Sequence, residues 1–221
     1  MAPRIDGVLG WLKWPVAVWV MLSIPQLLEA DIALIKQSMH PTFGPFWVGF
    51  VGYLCLWWTV FRYRGWGALL PTILHELTHG LFAALTFHRI LSISATWSSG
   101  GEIQYSGPGN WLITIAPYFF PLAMAVAVPL SAGLSVDATM RLALLGVVFG
   151  FESVAMWRQV HPRQTDLQKV GFVFAAVFLP GALLWSYGAI LALVVLGPRG
   201  MASFLIEQGQ SHSMWLIHLL G

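Results

Sequence analysis

Leu74-His75-Glu76-Leu77-Thr78-His79-Gly80 holds the residues best suited to chemistry. Residues four apart stand one turn above each other on the same helix face. His75 and His79 can therefore aim both imidazoles at a single ion about 2.0–2.1 Å away. Glu76 lies beside that face, near enough to hold a water at the ion without being a ligand. Two histidines and a glutamate inside an apolar helix are unfavourable at membrane depth unless they find partners. The spacing is that of a zinc site with its own general base.

A catalytic zinc takes three protein ligands and keeps a fourth position for water, so one ligand must come from elsewhere. Asp166 is the first choice. It follows the proline-containing break His161-Pro162-Arg163-Gln164-Thr165 and precedes an apolar helix, so its carboxylate can turn inward from a helix start. Capping that helix is its other possible use. Glu152 is the second choice, because a carboxylate inside an apolar run needs a partner; otherwise it is a hydrogen-bonded structural or proton-handling residue. His161 is a weaker candidate, placed to support a ligand or to lie at the interface. His40, His88, His212 and His218 fall near span ends or in the tail and read as wetted surface residues. The single cysteine, Cys55, leaves no disulfide framework and no thiolate cluster to compete for the metal.

The elements that must position these groups are set by composition. The 221 residues are 57% apolar and 9% charged, with 12 Trp, against about 25% charged in an ordinary soluble domain. A net charge of +2 is too small to argue for nucleic acid as a partner. The expected fold class is an all-α polytopic membrane protein of about six transmembrane helices, forming one membrane-embedded domain over 1–221 with its core at about 67–197. Spans are expected at Trp11–Leu28 (a retained first span), Phe46–Phe61, Gly67–Phe87, Trp111–Leu134, Arg141–Trp157 and Val170–Leu196. After Pro25 the amphipathic pattern of Leu27, Leu28, Ile32, Leu34 and Ile35 suits a membrane surface. Pro71 lies four residues before His75 and would free a carbonyl one turn further back. Pro117, Pro121 and Pro129 make the fourth span locally irregular, which at membrane depth is tolerated only against protein or water. The tail from Pro198 is expected at the interface. Lys and Arg divide too evenly between the two sides to fix an orientation.

Between the third and fourth spans, Leu91, Ile93, Ala95 and Trp97 alternate with polar residues, as do Ile103 and Tyr105. With Ser99-Gly100-Gly101 supplying turn chemistry, this predicts a β-hairpin directly after the metal-binding helix. A hairpin folded back on that helix would offer a free edge to another strand.

Taken together, an H-E-x-x-H in a membrane helix, a following Gly-Gly hairpin and a later Asp at a helix start resemble the site-2 protease family of intramembrane zinc metalloproteases, closest to its small, compact members. The resemblance spans roughly Leu69 to Gly171, with His75-Glu76-x-x-His79 as its specific part. It departs at the third ligand. The family usually sets it in Asn-Pro-Asp-Gly or Leu-Asp-Gly, where this chain has Thr165-Asp166-Leu167, and no inserted PDZ-like domain is visible. The resemblance implies a multi-pass integral membrane endopeptidase, in the cell membrane if bacterial. It would use Zn2+ to hydrolyse a peptide bond in or near a transmembrane helix of a membrane protein substrate within the lipid bilayer. His75, His79 and Asp166 would hold the metal, and Glu76 would be catalytic. The alternative is a non-proteolytic zinc-binding scaffold or metal carrier, and Glu76 argues for the enzyme because a carrier needs ligands but no base.

Overall fold

The computed structural model describes residues 1–63, 69–96 and 100–220. It is 81% helical, with one two-stranded antiparallel sheet. Helix α1 (Ala2–Leu22) passes into α2 (Ile24–Ser38) through Ser23, which keeps helical dihedrals. The apolar stripe of α2 is divided: Leu28, Ile32 and Ile35 are exposed, while its other members face the protein. Leu27 and Leu34 are buried against Leu191, Ala192 and Phe204 of the last helix, α9 (Phe172–Leu220). Trp185 of α9 reinforces the seam by stacking on Trp19 and donating its indole N–H to the Ser23 hydroxyl at 3.1 Å.

Among the described residues, three helices are long and apolar enough to cross a bilayer: α1, Ala138–Gln159 and Phe172–Gln210. A fourth is reached if the bent pair Trp111–Tyr118 and Leu122–Ala132 counts as one span. The expected six are not reached. Helix α3 (Gly44–Thr59) has 16 residues and α4 (Leu69–Leu85) has 17, short of the roughly 20 that a hydrocarbon layer of about 30 Å requires. Pro71 lies in α4 near Leu69, and the carbonyl one turn before it, at residue 67, lies outside the described residues.

Helix α9 contains a reversal. Gly197 takes φ 76°, a backbone region that favours glycine. Beyond it Phe204 packs edge-on against Trp185, with ring centroids 6.3 Å apart. A straight helix would carry those residues about 28 Å apart, so the chain turns back on itself at Gly197.

The sheet is the predicted hairpin: β1 (Ile90–Thr96) pairs with β2 (Gly100–Tyr105), Ile93 opposite Ile103 and Ala95 opposite Gly101. Gly100 and Gly101 belong to strand β2 rather than to the turn, and Trp97, Ser98 and Ser99 lie outside the described residues. The hairpin lies on α4 at Gly80, where an added Cβ would come within 2.7 Å of the Ile103 side chain. Tight approach recurs between α3 and α7 (Ala138–Gln159). There Gly146 faces the Phe46 carbonyl and Gly49 the Ala143 carbonyl, so the two backbones meet at small residues.

The expected irregularity of the fourth span is a bend of 68°. Helix α5 (Trp111–Ile115) and the 3-10 turn Ala116–Tyr118 stop at Phe119, and α6 (Leu122–Ala132) restarts after Pro121. Helix α8 (Thr165–Val170) is a single short piece, separated from α9 by Gly171 at φ 93°.

Candidate metal centre

Helix α4 presents His75 and His79 on one face, and α8 brings Asp166 opposite them. Asp166 Oδ2 lies 3.3 Å from Nε2 of each histidine. In a tetrahedron with arms of about 2.0–2.1 Å, ligand atoms stand about 3.3–3.4 Å apart. All three potential ligand atoms fall within 4.8 Å of one another. Asp166 is not spent as a helix cap: Gln164 occupies that position, without a side-chain capping bond.

The surrounding bonds decide which nitrogen of each ring is free. His79 Nδ1 faces the Ile113 carbonyl at 2.7 Å. A carbonyl only accepts, so Nδ1 carries the proton and Nε2 keeps its lone pair. That carbonyl is available for a reason written in the sequence. Its helical donor would be residue 117, which is a proline without an N–H. His75 Nδ1 meets Gln159 Oε1 at 3.1 Å, while the amide nitrogen of Gln159 donates to the Pro71 carbonyl at 3.4 Å. The amide is thereby oriented with its oxygen towards His75, again placing the ring proton on Nδ1. Two bare Nε2 atoms and a carboxylate oxygen thus converge. Three acceptors at this separation repel unless a cation lies between them, and imidazole with carboxylate suits zinc. The donor set fits such an ion.

Glu76 is buried next to this triad without belonging to it. Strand β2 runs directly over it: a Cβ at Gly101 would stand 2.5 Å from Glu76 Cγ and 2.9 Å from its Oε1. The close approach requires glycine, and this is the role Gly101 has in place of the expected turn. A cleft of about 850 Å³ opens over the triad, lined by Glu76, β2 from Gly101 to Tyr105, Asn110, Lys13 and Lys169 among others. Burial, then the charges of Asp166 and Asp6, push the Tyr105 phenol up, so it remains protonated in the cleft wall.

Glu152, the other candidate ligand, is elsewhere. Its carboxylate accepts the backbone N–H groups of Ala123 and Met124 at 2.9 and 2.8 Å. These are first-turn donors of α6 that Pro121 leaves without a side-chain cap. The buried charge is satisfied at a helix N-terminus, which is its structural use. His161 is exposed and accepts from the Arg163 backbone, away from the triad. His40 is exposed as expected, while the side chains of His212 and His218 lie outside the described residues. His88 contradicts its expectation. It is buried, held by Thr86 Oγ1 and Asp6 Oδ2, both at 3.1 Å.

Several contributors carried no recognisable sequence signal. Gln159 ends α7 and Tyr118 sits in the bend; neither has a motif spacing to the histidines. Lys13 comes from α1 and reaches the Val170 carbonyl, just past Asp166, at 2.8 Å.

With this arrangement in view, comparison with known proteins identifies the class. The profile of the Peptidase M50B-like family matches residues 46–209, and the chain belongs to that family, within the site-2 protease (M50) peptidases. No curated protein and no solved structure matches the chain. The family and the long apolar helices are together consistent with an integral membrane protein.

Proposed function

We propose that this chain is an intramembrane zinc metalloprotease, cleaving a peptide bond in or near a transmembrane helix of a membrane protein substrate. The observation that carries the proposal is the convergence of His75 Nε2, His79 Nε2 and Asp166 Oδ2 beside a buried Glu76 at the floor of a polar cleft. Zinc held by these three residues would supply Lewis acidity and lower the pKa of a water in its open position towards about 7. Glu76 is the group placed to take the proton of an attacking water and pass it to the leaving nitrogen. The β2 segment Gly101–Tyr105 borders the cleft. It offers its edge to a substrate that has unwound, so that backbone groups freed from the substrate helix find partners in a dry setting.

The test is elemental analysis of purified protein together with cleavage of a membrane-helix substrate in detergent or liposomes. One zinc per chain is expected in the wild type. His75→Ala should lose it, and Glu76→Gln should retain it while abolishing turnover. Protein without zinc, even after reconstitution, overturns the metal reading. Zinc retention with undiminished cleavage in Glu76→Gln removes Glu76 as the base.

A further inference from the structure

Tyr118 lies where nothing in the metal motif would place a partner. It sits in the 3-10 turn between Pro117 and the bend, and it is fully buried. Its hydroxyl donates to Asp166 Oδ2 at 3.3 Å, the same oxygen that faces both Nε2 atoms. Its ring stands edge-on to His75, centroids 5.3 Å apart. Among the described residues the other carboxylate oxygen of Asp166 has Lys169 as its ion-pair partner at 3.8 Å, through a side chain that is 70% exposed. A long, wetted ammonium does little to fix a carboxylate. A buried phenol on a rigid ring does much more.

Resting on the metal-site reading above, we infer that Tyr118 is a positioning residue for the third ligand. Its O–H holds the Asp166 carboxylate so that Oδ2 meets the two histidine nitrogens and Oδ1 points away. A carboxylate on the first turn of a helix as short as α8 can otherwise rotate about its own bonds, offering either oxygen or both. Tyr118 removes that freedom from a different element. The bend of the fourth span thereby acquires a purpose: it presents the Tyr118 phenol to α8 while it presents the Ile113 carbonyl to His79.

The test measures zinc affinity of the full chain by competition with a chromogenic chelator, on wild type, Tyr118→Phe, Asp166→Ala and the double variant. Phe keeps the ring and its packing on His75 and removes only the donor. Tyr118→Phe should weaken zinc about 10–100-fold, the usual effect of losing a group that orients a ligand. In the Asp166→Ala background the same substitution should change nothing, because the group it orients is gone. Melting of the chelator-treated proteins should coincide for wild type and Tyr118→Phe. Unchanged zinc affinity in Tyr118→Phe overturns the inference, and so does an equal loss in both backgrounds, which would mean a general packing role. A wild type that binds no zinc fails at the first measurement, before Tyr118 is altered, and takes the parent proposal with it.

Discussion

His75 and His79 are locked as Nδ1–H tautomers by two acceptors drawn from different elements, the Gln159 amide and the Ile113 carbonyl. The pair and Glu76 were legible from spacing alone, because helical periodicity fixes what lies four residues on. Asp166 was legible as the first of two candidate carboxylates, through the proline-broken linker before it, but spacing alone does not show which of two distant helices faces α4. Geometry separates them, and function can too. Asp166→Asn should weaken zinc binding severely, measured by chelator competition. Glu152→Gln should leave zinc in place and lower stability by about 1–3 kcal/mol, since it leaves a first-turn donor of α6 poorly served. Thermal unfolding of the two variants in one detergent reads both effects. An empty site in Glu152→Gln with a full one in Asp166→Asn would reverse the roles.

At the scale of elements, alternation of apolar and polar residues located both strands, because a half-exposed strand must repeat every two residues. The glycines were legible as special but not as to why. Gly100-Gly101 looks like turn chemistry, whereas Gly101 serves to bring β2 onto Glu76. Such a contact pairs positions 25 apart and leaves no local trace. Gly101→Ala should push the strand or Glu76 aside. Retained zinc with cleavage reduced by about 100-fold is expected, the scale of effect of a misplacement of about 1 Å. Normal cleavage would show that Glu76 tolerates the added carbon. Among the described residues three to four candidate spans are found where about six were expected. Hydropathy reports how apolar a stretch is, while the length of α3 is decided by where its helical hydrogen bonding ends, at Val60. Hydropathy did foresee the broken fourth span, through its prolines.

Across the whole molecule, α1 stands outside the family match of 46–209 and still reaches the cleft from three directions. Asp6 bonds His88 at 3.1 Å and the Asn110 amide at 2.8 Å. Leu9 accepts from the Trp111 indole at 2.6 Å, and Lys13 donates to Val170. His88 precedes β1, Asn110 caps α5 and Val170 ends α8, so one helix ties together the three elements around the metal centre. Sequence reading saw only an apolar first span, because its polar residues match partners more than 80 positions away. Asp6→Ala should lower stability by about 1–3 kcal/mol by leaving buried His88 without its acceptor, with zinc binding kept. An unaltered melting temperature would mean that the tie contributes nothing.

The 68° bend contains Pro117 and Pro121, and the Glu152 carboxylate of α7 closes it by accepting the first N–H groups of α6. The Ile113 carbonyl, Tyr118 and the start of α6 are each held by a side chain from another element. The hairpin is different. Its strands bond to each other and rest one face on α4, with Leu91 and Ile93 exposed. Amide hydrogen exchange should be orders of magnitude faster across β1 and β2 than across α4 or α7, and equal protection would show the hairpin to be as firmly held as they are. On the proposed function, an edge of this kind would pair poorly with a substrate that remains helical and readily with one already frayed. The pace of proteolysis would then be set by how readily the substrate unwinds.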